Sequence, residues 1–240
     1  MNKLSILVSS IKKDFNKYSS PIYINSFQRF FKHPVKCYGV KSADVRSISK
    51  KYWKDIKELD KKEIFLLCEE LLKTDYSEDA FLVFSWIPNF KNNFIENDIK
   101  IFEKWIDKYI NNWAKCDGFC CGAVCLYLEK YPAKIEELKR WAVSKNIWMK
   151  RASAVSLVPL ARKGEYLEEV FKISKILLID TNDMVQKGYG WLLKEASRKH
   201  EKEVFDFVLR NKDKMPRTAL RYAIELMPKN LKTIAMSKSQ

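Results

Sequence analysis

The chain has 240 residues and a formal net charge of +15, from 45 lysines and arginines against 30 aspartates and glutamates. Hydrophobic residues make up 47% of the chain and charged residues 31%, which excludes wholesale disorder. The scarcity of glycine (6) and proline (7) argues against a turn-rich all-β fold, and the charge excess favours a polyanionic partner, either nucleic acid or anionic lipid.

The features that bear on compartment predict a cytoplasmic protein with free thiols. The first apolar run is too short for a secretory signal, and no stretch approaches about 18 consecutive apolar residues. Four of the six cysteines have the spacing C-x3-C-C-x3-C, without C-x2-C spacing or a nearby histidine. We therefore expect no metal and no other cofactor, and we interpret these four as thiols that pack between helices. They are Cys116, Cys120, Cys121 and Cys125.

Helical apolar periodicity runs through almost the whole chain. An amphipathic helix opens with Leu4, Val8 and Ile11, and Asp60 with Glu63 forms a capping-box pattern at the start of another. Later helices are predicted at residues 97–110, 132–142, 152–160, 167–178, 184–197, 204–209 and 219–227.

The spacing of these helices indicates a repeat architecture. Helix starts recur about every 15–20 residues, so helix pairs recur at the ~35–40-residue period of HEAT-like or armadillo-like solenoids. We predict an all-α fold, a right-handed α-α superhelix of HEAT-like repeats with a basic concave face. A single domain is predicted over residues 1–234, followed by a frayed tail at 235–240.

The first candidate site lies in the segment 111–122. Trp113 and Asp117 are four residues apart, so on a helix they share one face. The indole offers a flat surface for a base or sugar, and the carboxylate offers fixed negative charge. The alternative is a core tryptophan beside a capping or salt-bridged aspartate.

The second candidate site lies in the segment 183–198, where one helix face has buried spacing and another carries cations around a tryptophan. Cations suit phosphates and an aromatic ring suits a sugar or base, so this face is typical of a nucleic-acid surface. The alternative is a solvated face whose tryptophan packs on a neighbour. The buried set is Val185, Tyr189, Leu192, Leu193 and Ala196, and the stripe is Lys187, Trp191, Lys194 and Arg198.

Two further basic segments flank the second. Arg151 is one turn past Trp148 and is suited to stacking or to bidentate phosphate binding. Arg217 and Arg221 are also one turn apart. Each of these cations, taken singly, is more typical of a solvated surface.

Taken in order, these segments resemble the DNA alkylation repair family, the AlkD-type alkylpurine DNA glycosylases. The resemblance spans about residues 20–228. It rests on the runs NWAKCD at 112–117, NIWMKRA at 146–152, VQKGYGWLLKE at 185–195 and RTALRYAI at 217–224, with Trp141, the turn at 38–40 and Arg46.

The resemblance implies an all-helical array of HEAT-like repeats that holds duplex DNA and excises cationic N-alkylated purines such as 3-methyladenine and 7-methylguanine. It implies Asp117 as the catalytic carboxylate, Trp113 and Trp191 as contacts of the lesion's deoxyribose, and Arg151 as a contact of the DNA backbone. The family's N-terminal aromatic has two candidates here, Phe27 and Phe30.

We therefore predict a monomeric, monofunctional glycosylase of base excision repair that needs no obligate protein partner and no membrane. Alternatives are a non-catalytic helical-repeat module for damaged or branched DNA and a protein-interaction solenoid. Asp117 favours catalysis, because a carboxylate facing phosphates weakens binding. The residues predicted to contact DNA are Trp148, Arg151, Lys187, Lys194, Arg198, Arg217 and Arg221.

Overall fold

The computed structural model describes residues 3–237, and every regular element in that range is helical. This confirms the predicted all-α class, while the superhelix of HEAT-like repeats stays a prediction. The α-helices are α1 (Lys3–Tyr18), α2 (Pro21–Gln28), α3 (Ser42–Ile56), α4 (Lys61–Lys73), α5 (Ser77–Trp86), α6 (Asp98–Tyr109), α7 (Trp113–Phe119), α8 (Cys125–Lys130), α9 (Glu137–Ala142), α10 (Ile147–Val155), α11 (Val158–Lys163), α12 (Leu167–Ile176), α13 (Asp183–Ala196), α14 (Glu201–Asn211), α15 (Arg217–Ala223) and α16 (Lys229–Met236). Two 3-10 helices (Ile87–Asn93 and Pro132–Glu136) and one π-helix (Cys120–Val124) complete the described elements.

The chain divides into two compact units, Met1–Phe94 and Ile95–Gln240. The single domain over residues 1–234 stays a prediction. The frayed tail at residues 235–240 also stays a prediction; within it, α16 continues through Met236 and buries the Ala235 methyl group. Residues 238–240 of that tail lie outside the described residues. No helix within residues 3–237 is long and apolar enough to cross a membrane.

In the first unit, α1 packs against α3 and α4, and α5 packs against the same two helices. The capping box that begins α4 is confirmed: an oxygen of Asp60 accepts from a backbone N–H of the first turn, and Glu63 accepts from the N–H of Asp60. Both bonds satisfy donors that an uncapped helix would leave unpaired.

The turn at residues 38–40 is held by a buried carboxylate. Glu78 accepts hydrogen bonds from the backbone N–H groups of Tyr38, Gly39 and Val40. Gly39 has φ +77°, and a Cβ atom there would collide with a side-chain carbon of Ile24. Only glycine satisfies both the left-handed conformation and this close approach.

In the second unit, α13 is the central helix and packs against α10, α11, α12 and α15. The predicted buried set is confirmed, because all five of its side chains are almost completely buried. Gly190 allows α15 to approach, since a Cβ atom there would lie 2.7 Å from the Cβ of Tyr222 and 2.8 Å from the carbonyl oxygen of Ala219.

The predicted helix over residues 152–160 is two helices. Helix α10 ends at Val155 and α11 begins at Val158, with Pro159 in its first turn. Proline has no N–H to donate, and its ring collides with the carbonyl four residues earlier, so a continuous helix is excluded there.

Candidate active site

Helix α7 brings Trp113 and Asp117 onto one face. It begins at Trp113 because the side-chain oxygen of Asn112 accepts the backbone N–H of Lys115 at 3.0 Å. Asp117 follows one turn later, and its side chain keeps 18% of its surface exposed. The helix then widens into the π-helix, in which the N–H of Cys125 donates to the carbonyl of Cys120. Such π segments are rare and often lie at functional sites.

Two guanidinium nitrogens of Arg151 donate hydrogen bonds to the carboxylate of Asp117. Arg151 Nε donates to Asp117 Oδ1 at 2.8 Å, and Nη2 donates to Oδ2 at 2.7 Å. The third nitrogen, Nη1, donates to the carbonyl oxygen of Met184. One guanidinium on α10 therefore connects α7 to α13.

The arginine is charged although it is deeply buried, with 6% of its side chain exposed. Burial alone would lower the pKa of Arg151, but its hydrogen bonds and attraction to Asp117 outweigh burial and raise the pKa above its ordinary value. The pair is thus a charge-assisted, bidentate ion pair at the edge of solvent.

Gly188 makes room for this arrangement on α13. A Cβ atom at Gly188 would lie 3.3 Å from the Cγ of Arg151 and 3.7 Å from its Nη1. That approach is tighter than ordinary van der Waals contact, so a larger residue would displace the arginine stem.

Both tryptophans that were predicted to contact the deoxyribose lie on the helices that Arg151 connects. Trp113 is half-buried and lies one turn before Asp117. Trp191 is also half-buried and follows Met184 and Gly188 at seven and three residues, which keeps it on the side of α13 that Arg151 approaches. Its indole Nε1 donates to Glu195 Oε1 at 3.2 Å.

The cations of the predicted stripe on α13 form ion pairs within the protein. Each of its three cations is paired with an acid, which reduces the charge that the stripe presents. The pairs are Lys187–Asp183 at 2.8 Å, Lys194–Glu225 at 3.1 Å and Arg198–Glu195 at 2.6 Å.

The remaining predicted DNA contacts differ in exposure. Arg217 and Arg221 are both exposed on α15, and Arg217 Nη1 donates to the carbonyl of Met236 at 3.3 Å. Trp148 is half-buried at the start of α10, and its carbonyl accepts the thiol of Cys116. Arg151 does not share their exposure, because all its nitrogens bond within the protein.

The candidates for the N-terminal aromatic lie in the first unit. Phe27 is the second-last residue of α2 and is half-buried, with its ring centroid 5.0 Å from that of Phe31. Phe30 follows the helix and is mostly exposed.

The four cysteines between residues 116 and 125 are buried or half-buried thiols. Burial raises the pKa of Cys121 and of Cys125, the latter to about 12, which keeps these thiols protonated. The Cys121 thiol donates to the carbonyl of Val155 at 3.3 Å. This agrees with the prediction of thiols that pack between helices.

Two residues beside this site were missed in the sequence. The side chain of Glu195 is only 3% exposed, and it accepts hydrogen bonds from the side chains of Trp191, Arg198 and Arg162. Its four-residue spacing from Trp191 is a signal that could have found it. Arg162 lies 33 residues before Glu195, the same separation as between Arg151 and Met184.

Comparisons with known proteins give a family and a fold. The family model described as DNA alkylation repair enzyme matches residues 11–227. A solved structure described as a predicted DNA alkylation repair enzyme from Enterococcus faecalis has a TM-score of 0.79 and 14% identity, covering 88% of this chain and 97% of its own. The smu.31 protein of Streptococcus mutans UA159 has a TM-score of 0.56 and 16% identity, covering 94% and 100%. No curated protein matches the chain. At these identities the two structures share the fold alone.

Proposed function

The chain belongs to the DNA alkylation repair enzyme family, and from this membership we propose that it is a monofunctional DNA glycosylase. Its proposed substrates are cationic N-alkylated purines, such as 3-methyladenine and 7-methylguanine, in duplex DNA. The observation that carries the proposal is the carboxylate of Asp117, held by Arg151 with part of its surface open to solvent.

The reaction suits a site with one acidic group. An N-alkylated purine is already cationic, so it leaves as a neutral base without a general acid. The C1′–N bond breaks with its electrons going to the purine, and positive charge develops on the sugar. A nearby carboxylate stabilises that oxocarbenium-like transition state. Water then adds at C1′ and loses its proton to solvent.

The ion pair supports this role because it holds the Asp117 carboxylate in a fixed orientation. Each carboxylate oxygen uses one acceptor direction for Arg151 and keeps another for the sugar or the attacking water. The chemistry requires no lysine Schiff base, so we propose base release without strand cleavage.

The repeat architecture belongs to the same proposal. Polar contacts between neighbouring helices recur at separations of 34 residues for Asp117–Arg151, 33 for Arg162–Glu195 and 37 for Ser49–Trp86. Such recurrence is what stacked helix pairs of HEAT-like length produce, and it supports the proposed repeats.

The experiment that tests the function is release of methylated base from duplex DNA treated with a methylating agent. We expect wild type to release base and Asp117→Asn to lose most of that activity while still binding DNA. The matched control is Glu103→Gln, which removes one charge from another bidentate pair, the exposed Glu103–Arg140 pair.

Three outcomes decide the assignment. An Asp117→Asn variant that releases base at the wild-type rate would make the assignment of Asp117 wrong. A wild type that binds duplex but releases no base would favour the non-catalytic DNA-binding module. Equal losses in Glu103→Gln and Asp117→Asn would indicate a general effect of charge removal.

A further inference from the structure

Glu195 collects three donors on a single buried carboxylate. Its Oε1 accepts the indole N–H of Trp191 at 3.2 Å. Its Oε2 accepts Nε of Arg162 at 2.8 Å and Nε of Arg198 at 2.6 Å. An aromatic ring and two guanidinium groups are therefore fixed relative to one another by the same acid.

The carboxylate stays ionised in this setting. Burial alone would raise the pKa of Glu195, but the hydrogen bonds from Arg162 and Arg198 outweigh it and hold the pKa below its ordinary value. Two cations consequently surround one anion, and the cluster keeps one excess positive charge.

The two arginines use only their inner nitrogens. Within residues 3–237, the side chains of Arg162 and Arg198 make no hydrogen bond beyond the one from each Nε to Glu195. Their side chains are 56% and 45% exposed, so the Nη ends are open to solvent. Both Nε atoms bond to the same oxygen, Glu195 Oε2, which brings the two guanidinium groups together at that carboxylate. Each presents the paired N–H geometry that matches phosphate.

We propose that Arg162 and Arg198, organised by Glu195, form a clamp for one DNA backbone phosphate next to the sugar that Trp191 contacts. Sugar and phosphate are covalently adjacent in every nucleotide. A ring and a cation pair tethered to one carboxylate match that adjacency. The inference rests on the proposed function in taking DNA as the ligand and Trp191 as the sugar contact.

The test is binding of a short undamaged duplex as a function of salt by wild type, Arg162→Gln and Arg198→Gln. Each lost phosphate contact lowers the log–log salt slope by about 0.9, which corresponds to about eightfold weaker binding at ~0.1 M salt. We expect a change of about that size for each variant. The matched control is Arg140→Gln, since Arg140 has the same 56% exposure and also pairs with glutamates. It should bind like wild type.

The clamp is wrong if Arg162→Gln and Arg198→Gln keep the wild-type affinity and slope, or if their losses only equal that of Arg140→Gln. These half-exposed positions are not needed to close the core, and thermal melting of each variant checks that it is folded.

A second variant tests the organising role of Glu195. Removing an acid from a DNA-binding surface should tighten binding by Coulomb attraction alone, as we expect for the exposed Glu225→Gln. If Glu195 positions the clamp, Glu195→Gln instead binds DNA more weakly, and tighter binding would overturn that role. The arginine variants decide the clamp even if Glu195→Gln does not fold.

Failure of the clamp and failure of the proposed function are separable. Arginine variants with wild-type DNA affinity, in a protein that releases methylated base, would reject only the clamp. Arginine variants with weakened binding, in a protein that releases no base, would reject only the glycosylase.

Discussion

Arg151 donates to both carboxylate oxygens of Asp117, although the two residues stand on different helices and 34 positions apart in the chain. The guanidinium is buried, so neither charge can be removed without leaving the other poorly compensated. The proposed catalytic acid is therefore also a stability determinant of the helices α7 and α10.

This relationship predicts a strong coupling in stability. Arg151→Gln should lower the free energy of unfolding by about 3–5 kcal/mol, because it leaves Asp117 without its cation. The double variant Arg151→Gln, Asp117→Asn should recover part of that loss, since no unpaired charge remains. Urea unfolding of both singles and the double measures the coupling.

The exposed Arg140–Glu103 pair is the control for that cycle. Its bidentate geometry resembles the buried pair, but solvent screens it, so Arg140→Gln should cost about 1 kcal/mol or less. Strictly additive losses at Arg151 and Asp117 would contradict the coupling.

Trp191 should matter more to catalysis than to non-specific binding. Trp191→Ala should slow base release more than it weakens binding to undamaged duplex, because the ring is proposed to contact the sugar at the reacting centre. Trp191→Phe keeps an aromatic face but loses the N–H bond to Glu195, so an intermediate rate is expected. Single-turnover release and duplex binding are the two measurements. Equal losses in both would make Trp191 a general binding residue.

The glycines of α13 should differ in their tolerance of alanine. Gly190→Ala places a Cβ atom 2.8 Å from the backbone carbonyl of Ala219 and should destabilise the protein by about 1–3 kcal/mol. Gly188→Ala meets the Cγ of Arg151 at 3.3 Å and should cost less stability. Thermal unfolding of the two variants compares them, and a more harmful Gly188→Ala would contradict this ranking.

Asp79 should make the stability of the protein depend on pH. Its Oδ2 accepts from Tyr38 and Thr74, and its Oδ1 is buried without a hydrogen-bond partner among the described residues. Burial raises the pKa of Asp79 to about 6, whereas the ordinary pKa of this carboxyl group, expected in the unfolded chain, is 3.8. The folded state thus holds the proton more tightly.

This difference in the pKa of Asp79 makes the folded state less stable as the pH rises. The contribution of Asp79 is fully present below pH ~4 and is lost as the pH rises through ~6, amounting to about 3 kcal/mol. Asp79→Asn removes this titration, so its stability relative to wild type should increase between pH 4 and pH 7. Urea unfolding across that range measures it, and a constant difference would show that Asp79 does not titrate in this way.

Local rules predicted much of the fold. The capping box of Asp60 and Glu63 and the buried positions of α13 follow from spacing within one helix, and the structure confirms them. The pairing of Arg151 with Asp117 depends on how two helices pack, and spacing within either helix carries no information about it.

The same limit explains the charge of the stripe on α13. Lys194 meets Glu225 only because the chain returns after α15, so a count of cations along α13 overestimated its free charge. The break before Pro159 was within reach of the sequence, because the ring's clash with a preceding carbonyl is a local effect.

The π-helix that follows Asp117 sets the rotational phase of the whole segment. In it the N–H of Cys125 reaches back five residues to Cys120 instead of four. Deleting one residue from this stretch would restore ordinary α-helical bonding, but it would turn everything on one side of the deletion by about 100° relative to the other. With α8 held by its buried side chains, Asp117 would swing away from Arg151. The position of the Asp117 carboxylate relative to Arg151 therefore depends on the number of residues in the π-helix that follows Asp117, as well as on which residue stands at position 117.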